Sequence, residues 1–286
     1  MMCEPWSTDR FELGEGLRRH GRDLFMVDIL TGRLLRLDPL VPGPAEVLAV
    51  LGVPLGAVAP VLGRPGALIA AAGTGVALLA GDGGLRWLAR PEAGSATPMR
   101  MNDGCCDPRG RFWAGSMAYD GTLGAGSVYR TDPDGAVTRV LEGYTVPNGP
   151  AFTADGARMY LADSAEGRID AYEVSPGGAP GARTTFARVG EGSPDGMQVD
   201  AEGHLWVAVW GAGRVHRYDP DGALERVVPL PAAQPTSVCV VDAPEPRLFV
   251  TSAAIGLDRA GPCDGAVFSV PVDTSAPAAH PFRGNL

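Results

Sequence analysis

The 286-residue chain contains no lysine; all 24 of its basic residues are arginine. With no side-chain amine, Schiff-base catalysis and a phosphate-loop lysine are both excluded. Basic residues are also outnumbered, 24 against 33 Asp plus Glu, which gives a net charge of −9 with no basic stripe. Nucleic acids and anionic membranes rely on such a stripe, so neither is an expected partner. The five cysteines (Cys3, Cys105, Cys106, Cys239, Cys263) are odd in number and show no CxxC spacing. That pattern fits a reducing compartment and argues against a thiolate zinc site. Cys105 and Cys106 stand too close for an ordinary structural disulfide and read as small apolar residues.

No long apolar run survives inspection. The stretch from Leu40 to Ala80 is cut by Pro42, Pro44, Pro54, Pro60 and Pro65 and carries Glu46 and Arg64, so no spanning helix is expected. The N-terminal segment MMCEPWSTDRFELGEG lacks a basic stretch followed by an apolar one, and a cytoplasmic location is expected. There is no GxSxG elbow, HExxH, EF-hand loop, Walker loop or GxGxxG. These absences remove the common nucleophile, zincin and nucleotide sites. His20, His204, His216 and His280 are scattered and suggest no catalytic base.

One pattern recurs instead. Six apolar segments, DLFMVDI, ALIAAAG, RFWAGSM, RMYLADS, HLWVAVW and RLFVTSA, align on Leu24, Leu68, Phe112, Met159, Leu205 and Leu248 with spacings of 44, 44, 47, 46 and 43 residues. Each is followed by a glycine and an alternating strand, and two of these lead to the hairpin turn DPDG, where Asp-Gly is expected to supply positive backbone dihedrals. A period of this length, with about four short strands per unit and no helical periodicity, predicts an all-β six-bladed propeller of four-stranded blades. The whole chain, residues 1–286, is expected to form that one domain. The segment Phe11 to Arg18 is expected to pair with the last blade and close the ring.

In a propeller, residues just before each innermost strand converge at one mouth of the central channel. At that register stand Glu15, Asn102, Asn148 and Asp195, each followed by Gly or, for Asn102, by Asp-Gly; the second repeat offers Gly56, Ala57 and Val58, and the sixth Thr236 and Ser237. Any one of these is an ordinary turn former. Yet the chain has only three asparagines, and two of them stand here. Two carboxylates converging would repel each other unless a positive group lay between them. Together with carboxamide oxygens they suit a hard divalent cation: Ca²⁺, Mg²⁺ or Mn²⁺, with Zn²⁺ less natural. Arg100 is placed to grip a hydroxylated or anionic ligand, or to form a surface salt bridge. Asp120, in MAYDGT, is either an acceptor for ligand hydroxyls or a turn residue. Asp28 and Asp163 end their strands as supporting partners or caps. Trp113, Trp206 and Trp210 are expected to pack between blades.

The segments LGEGLRRHGRDLFMVDILTGRLLRLDP, RMNDGCCDPRGRFWAGSMAYDGT, YTVPNGPAFTADGARMYLADS and SPDGMQVDAEGHLWVAVWGAGRVHRYDPDG resemble the SMP-30/gluconolactonase/luciferin-regenerating family over nearly the whole chain. The resemblance implies a six-bladed propeller with one divalent metal held by Glu15, Asn148 and Asp195. It implies contacts from Arg100, Asn102 and Asp120 to a sugar lactone, and Asp195 as general acid/base in its hydrolysis to the aldonic acid. Some members have Glu at the position of Asp120, and many have Lys or another polar residue at that of Cys105. Two other readings fit the same residues: a metal-dependent esterase or organophosphatase, and a non-catalytic calcium-binding propeller.

Overall fold

The computed structural model describes residues 3–81, 83–242 and 245–285. They form six antiparallel four-stranded sheets in sequence order around a channel. From the inner strand outward, blade 1 comprises Gly14–His20, Asp23–Asp28, Arg33–Leu37 and Glu46–Val50. Blade 2 comprises Leu55–Pro60, Leu68–Ala72, Gly75–Leu79 and Leu85–Ala89. Blade 3 comprises Met99–Cys106, Phe112–Ala118, Gly126–Thr131 and Val137–Tyr144. Blade 4 comprises Pro147–Phe152, Arg158–Asp163, Arg168–Glu173 and Thr184–Arg188. Blade 5 comprises Ser193–Val199, Leu205–Trp210, Arg214–Tyr218 and Leu224–Pro229. Blade 6 comprises Pro235–Val241, Arg247–Ser252, Val267–Pro271 and, from the other end of the chain, Glu4–Pro5. The only helical turn among the described residues is the short Ser164–Glu166, and no helix is long and apolar enough to cross a membrane.

The second strands read as unbroken apolar runs because each blade is sandwiched between two others and buries both faces. The core is accordingly divided into six clusters, one in each gap between neighbouring blades. Outer strands such as Glu46–Val50 face solvent. Trp113 and Trp206 are fully buried. Their indole N–H groups donate to Asp107 and Asp200, each over 2.9 Å, so the tryptophans also lock the turns between first and second strands.

Two expectations need correction. Ring closure is made by Glu4–Pro5, paired with Ser269 and Phe268, whereas Gly14–His20 is the inner strand of blade 1. The segment Phe11 to Arg18 packs beside blade 6 without adding a strand to it: it makes an isolated bridge, Leu13 with Ala253, the Phe11 amide donates to Gly265 O, and the Leu17 amide and Arg18 donate to Ser237 Oγ. A terminal strand seals an edge best from outside, where backbone groups would otherwise lie open. In the DPDG turns only the glycines adopt positive φ, 88° at Gly135 and 90° at Gly222, and no other residue type does so. A left-handed glycine after otherwise right-handed turn residues is the longer hairpin form, not the two-residue one.

The C-terminal segment crosses the end of the propeller at which the inner strands finish. Ala279 donates to Arg19, Phe282 to Pro60 and Arg283 to Gly110, and Phe282 is completely buried. The channel is thereby covered at that end, leaving the opposite mouth for ligands. Near that mouth blade 2 presents Gly56, where a Cβ would lie 2.2 Å from the carbonyl oxygen of Asn102. Its lack of a side chain lets blades 2 and 3 approach closely. Gly56→Ala should therefore lower stability by about 2–3 kcal/mol, seen as a melting temperature roughly 5–10 °C lower; an unchanged melting temperature would show that the backbone relaxes freely.

Candidate metal and substrate site

All six inner strands carry a register irregularity at the same level: between Glu15 and Arg18, Leu55 and Ala57, Met101 and Gly104, Asn148 and Ala151, Pro194 and Met197, and Pro235 and Ser237. Glu15, Asn102, Asn148 and Asp195 stand at or within these bulges, so they lie inside the inner strands and not before them as expected. A bulge breaks the strict alternation of side chains, which lets each of these polar groups leave the blade face and meet the channel. Asp28 and Asp163 fasten the approach. Asp28 accepts from the amide of Leu13 at 2.9 Å, and Asp163 from those of Thr145 and Val146 at 2.9 and 3.1 Å. Both thus act as caps that hold the chain two residues or so ahead of Glu15 and Asn148.

The four register residues line one cavity of about 450 Å³ together with Arg100, and each is only 4–5% exposed. A hydrogen-bond chain crosses its floor in one direction. Arg100 Nη1 donates to Asn102 Oδ1 (2.7 Å), Asn102 Nδ2 to Asn148 Oδ1 (2.9 Å), Asn148 Nδ2 to Ser164 Oγ (2.8 Å), and Ser164 Oγ to the carbonyl of Pro194 (2.6 Å). Because the hydroxyl of Ser164 is committed to Pro194, it accepts from Asn148 and fixes the amide of that residue. Asn148 Oδ1 then keeps a lone pair free after accepting from Asn102, since a carboxamide oxygen has two. Sequence reasoning missed Ser164, although it directly follows Asp163 at the end of an apolar strand.

It also missed the layer beneath. Arg18 Nη2 bridges both carboxylate oxygens of Asp103 at 3.2 Å, and Asp103 accepts from the amides of Gly104 and Gly149. Arg18 further donates to Leu17 O and Ser237 Oγ. This buried ion pair ties blade 1 to blade 3 across blade 2. The guanidinium is used up there, so Glu15 and Asp195 make no ion pair among the described residues.

Those two carboxyls carry the electrostatic problem of the site. Burial, then the charges of Asp195 and Asp103, holds Glu15 well above the usual carboxylate range. Burial first, with the charge of Asp103 adding to it, raises Asp195 likewise, against a hydrogen bond from Glu15 that lowers it. Asp195 Oδ1 is buried with no hydrogen-bond partner. A partnerless carboxylate oxygen, a second uncompensated carboxyl and a carboxamide oxygen with a free lone pair form a donor set that fits a divalent cation. Glu15, Asn148 and Asp195 are the residues that could hold it.

The structure does not bring Asp120 into the cavity. It is exposed, and its Oδ1 caps the amide and hydroxyl of Thr122; its neighbour Tyr119 lines the cavity instead. Arg100 is buried and makes no surface salt bridge. Trp210 was expected between blades, yet it is half-buried and lines the cavity wall. The thiol of Cys105 donates to Pro150 O at 3.0 Å, and burial pushes its pKa up to about 12, which disfavours the thiolate. A second acidic cluster, Asp200, Glu202 and His204, lies on a turn at the closed end of the channel with ligand atoms within 4.8 Å of one another. Arg217 donates to both Asp200 and Glu202, which supplies its positive charge.

Six four-stranded blades around a buried floor of acids and amides define a six-bladed β-propeller, and its relatives give the family. The model of the SMP-30/Gluconolactonase/LRE-like region matches residues 13–254, and the chain belongs to that family. It is similar to a pentonolactonase of Haloferax volcanii, at 35% identity over 96% of this chain and 95% of the other. It is also similar to the regucalcin of Xenopus laevis, at 33% identity over 92% of each. The crystal structure of a calcium-binding protein, regucalcin, from Agrobacterium tumefaciens superimposes with a TM-score of 0.90 at 28% identity, over 99% of this chain and 97% of that one.

Two outcomes follow from the site. Ser164→Ala releases the amide of Asn148 and should weaken divalent-cation binding about 10- to 100-fold, the usual effect of losing a group that orients a ligand; titration calorimetry with equal affinity in both proteins would contradict this. With the pKa values of Glu15 and Asp195 both raised, protons compete with a cation for these carboxylates, so cation affinity should fall as the pH is lowered; titration calorimetry at several pH values showing a constant affinity would contradict this.

Proposed function

We propose that this protein is a divalent-metal-dependent hydrolase of sugar-derived lactones, producing the aldonic acid. The observation that carries this reading is the convergence of Glu15, Asn148 and Asp195 beside the buried guanidinium of Arg100 in one cavity. Similarity to a pentonolactonase along almost the whole chain supports it. A divalent cation bound by Glu15, Asn148 and Asp195 supplies Lewis-acid polarisation of a carbonyl oxygen.

The chain's own residues do the rest. Arg100 and Asn102 form the side of the floor next to the cation-binding group and orient the hydroxyls nearest the lactone carbonyl, Arg100 through guanidinium N–H groups not spent on Asn102 or Met101 O. Asp195 takes a proton from the attacking water as the new C–O bond forms. It returns that proton to the ring oxygen as the ester bond breaks, so no covalent enzyme intermediate is required. Asp195 Oδ1, buried without a hydrogen-bond partner, is the carboxylate oxygen free to accept that proton. Asp120, in its turn at the rim, is not required in this scheme. The five unpaired thiols support a reducing compartment, the cytoplasm, as its location. The calcium-binding relative supports a metal at this site, but a propeller that only stored calcium would have no use for an Arg100 lacking an acidic partner.

The test is pH-stat hydrolysis of glucono-, galactono-, xylono- and arabinonolactone by chelated protein, with Ca²⁺, Mg²⁺, Mn²⁺ or Zn²⁺ restored. Turnover should return with metal, and Asp195→Ala should lower it by about 10²- to 10⁴-fold. Tight metal binding without lactone turnover above the spontaneous rate would overturn the reading and favour the non-catalytic propeller or a different ester.

A further inference from the structure

The polar groups of the cavity lie on its floor, and the wall above them is apolar. Leu13 and Val146, each two residues before a floor residue, line this wall with Trp210 and Met117 from the ends of second strands and with Leu30 and Ile255 from the loops that follow second strands. Leu30, Met117, Val146, Trp210 and Ile255 are all half-exposed, so their open surface is turned to the space a ligand would fill. Ser193 and the phenol of Tyr119 are the polar groups the collar offers. The carboxylate nearest this rim, Asp120, is turned onto Thr122.

We propose that the preferred substrates are lactones deoxygenated or alkyl-substituted at the end of the molecule away from the carbonyl. This rests on the lactonase reading above. The hydroxyls next to the carbonyl meet Arg100 and Asn102 on the floor. A hydroxyl on the terminal carbon would lie against Leu30, Val146 and Ile255, where only Ser193, Tyr119 and the edge of Trp210 carry polar atoms, and would lose most of its hydrogen bonds to water. A methyl group there would remove apolar surface from water on both sides. An apolar wall of this kind rejects an added hydroxyl by a moderate factor, about 10- to 100-fold.

The test uses a matched pair, L-fucono-1,4-lactone and L-galactono-1,4-lactone, which differ only in the hydroxyl on C6. Initial rates are taken with the full chain supplied with Ca²⁺, Mg²⁺ or Mn²⁺ in turn, for the native protein and for Ile255→Asn and Leu30→Asn. The expected result is a kcat/KM at least tenfold higher for the fuconolactone, with the ratio shrinking in at least one variant as a partner for the hydroxyl appears. Equal rates, or preference for the galactonolactone, would overturn the substrate class while leaving the lactonase reading standing. A preference untouched by both variants would overturn the collar as its source. Hydrolysis of neither lactone, nor of any in the earlier panel, would overturn both proposals together.

Discussion

The physical constraint on which this molecule depends is an imbalance of charge at the propeller axis. Glu15, Asp103 and Asp195 are buried within one small region, and Arg18 compensates only Asp103. The remaining two carboxyls lie side by side with no counter-charge, and burial together with neighbouring carboxylate charge raises the pKa of both. A buried charge without a partner is costly enough that a chain either neutralises it or supplies a counterion. Here the surrounding architecture holds the pair in place. Asp28 and Asp163 clamp the approaching loops, the bulges turn the polar side chains off the blade faces, and Gly56 permits the close approach of Asn102. The C-terminal segment covers the far end of the channel, so the acidic floor can be reached from one mouth only.

The polar floor and the apolar collar divide the work between them. The floor residues come from inner strands locked by bulges, caps and the Arg18–Asp103 pair, and a change in any of them disturbs its neighbours along the hydrogen-bond chain from Arg100 to Pro194. The collar comes largely from the ends of second strands and the loops that follow them, where side chains such as Leu30 and Ile255 pack on the core with part of their surface exposed. In the proposed reading, chemistry is placed on strands and selectivity largely on loops, a common arrangement where loops sit on a fixed scaffold.

Much of this was legible in the sequence because propeller repeats are periodic and their inner strands converge. Aligning Leu24 with its five counterparts located all six second strands and led back to Glu15, Asn102, Asn148 and Asp195, which the structure brings to one cavity. What the repeat could not reveal is whatever depends on local departure from it. The bulges that place those residues within the strands are marked by the glycines that follow them, yet such a glycine reads equally well as a turn before the strand. The closing strand Glu4–Pro5 is two residues long, too short to show alternation. Arg18, Asp103 and Ser164 stand next to motifs that were visible, but pairing across blades is not encoded in spacing along the chain. Asp120 and Trp210 exchanged their expected positions relative to the ligand space because a turn in which Asp120 caps Thr122 and a strand end at the channel mouth look alike in one dimension.

The central claim is that Glu15, Asn148 and Asp195 form a single cation site on the channel axis. The most direct measurement is anomalous diffraction from crystals grown with Mn²⁺. The account requires one dominant peak within about 2.0–2.6 Å of carboxylate oxygens from Glu15 and Asp195 and of Asn148 Oδ1, the range of metal–oxygen bonds for hard cations. A peak instead at Asp200, Glu202 and His204, or no peak at the axis while Mn²⁺ binds in solution, would contradict it.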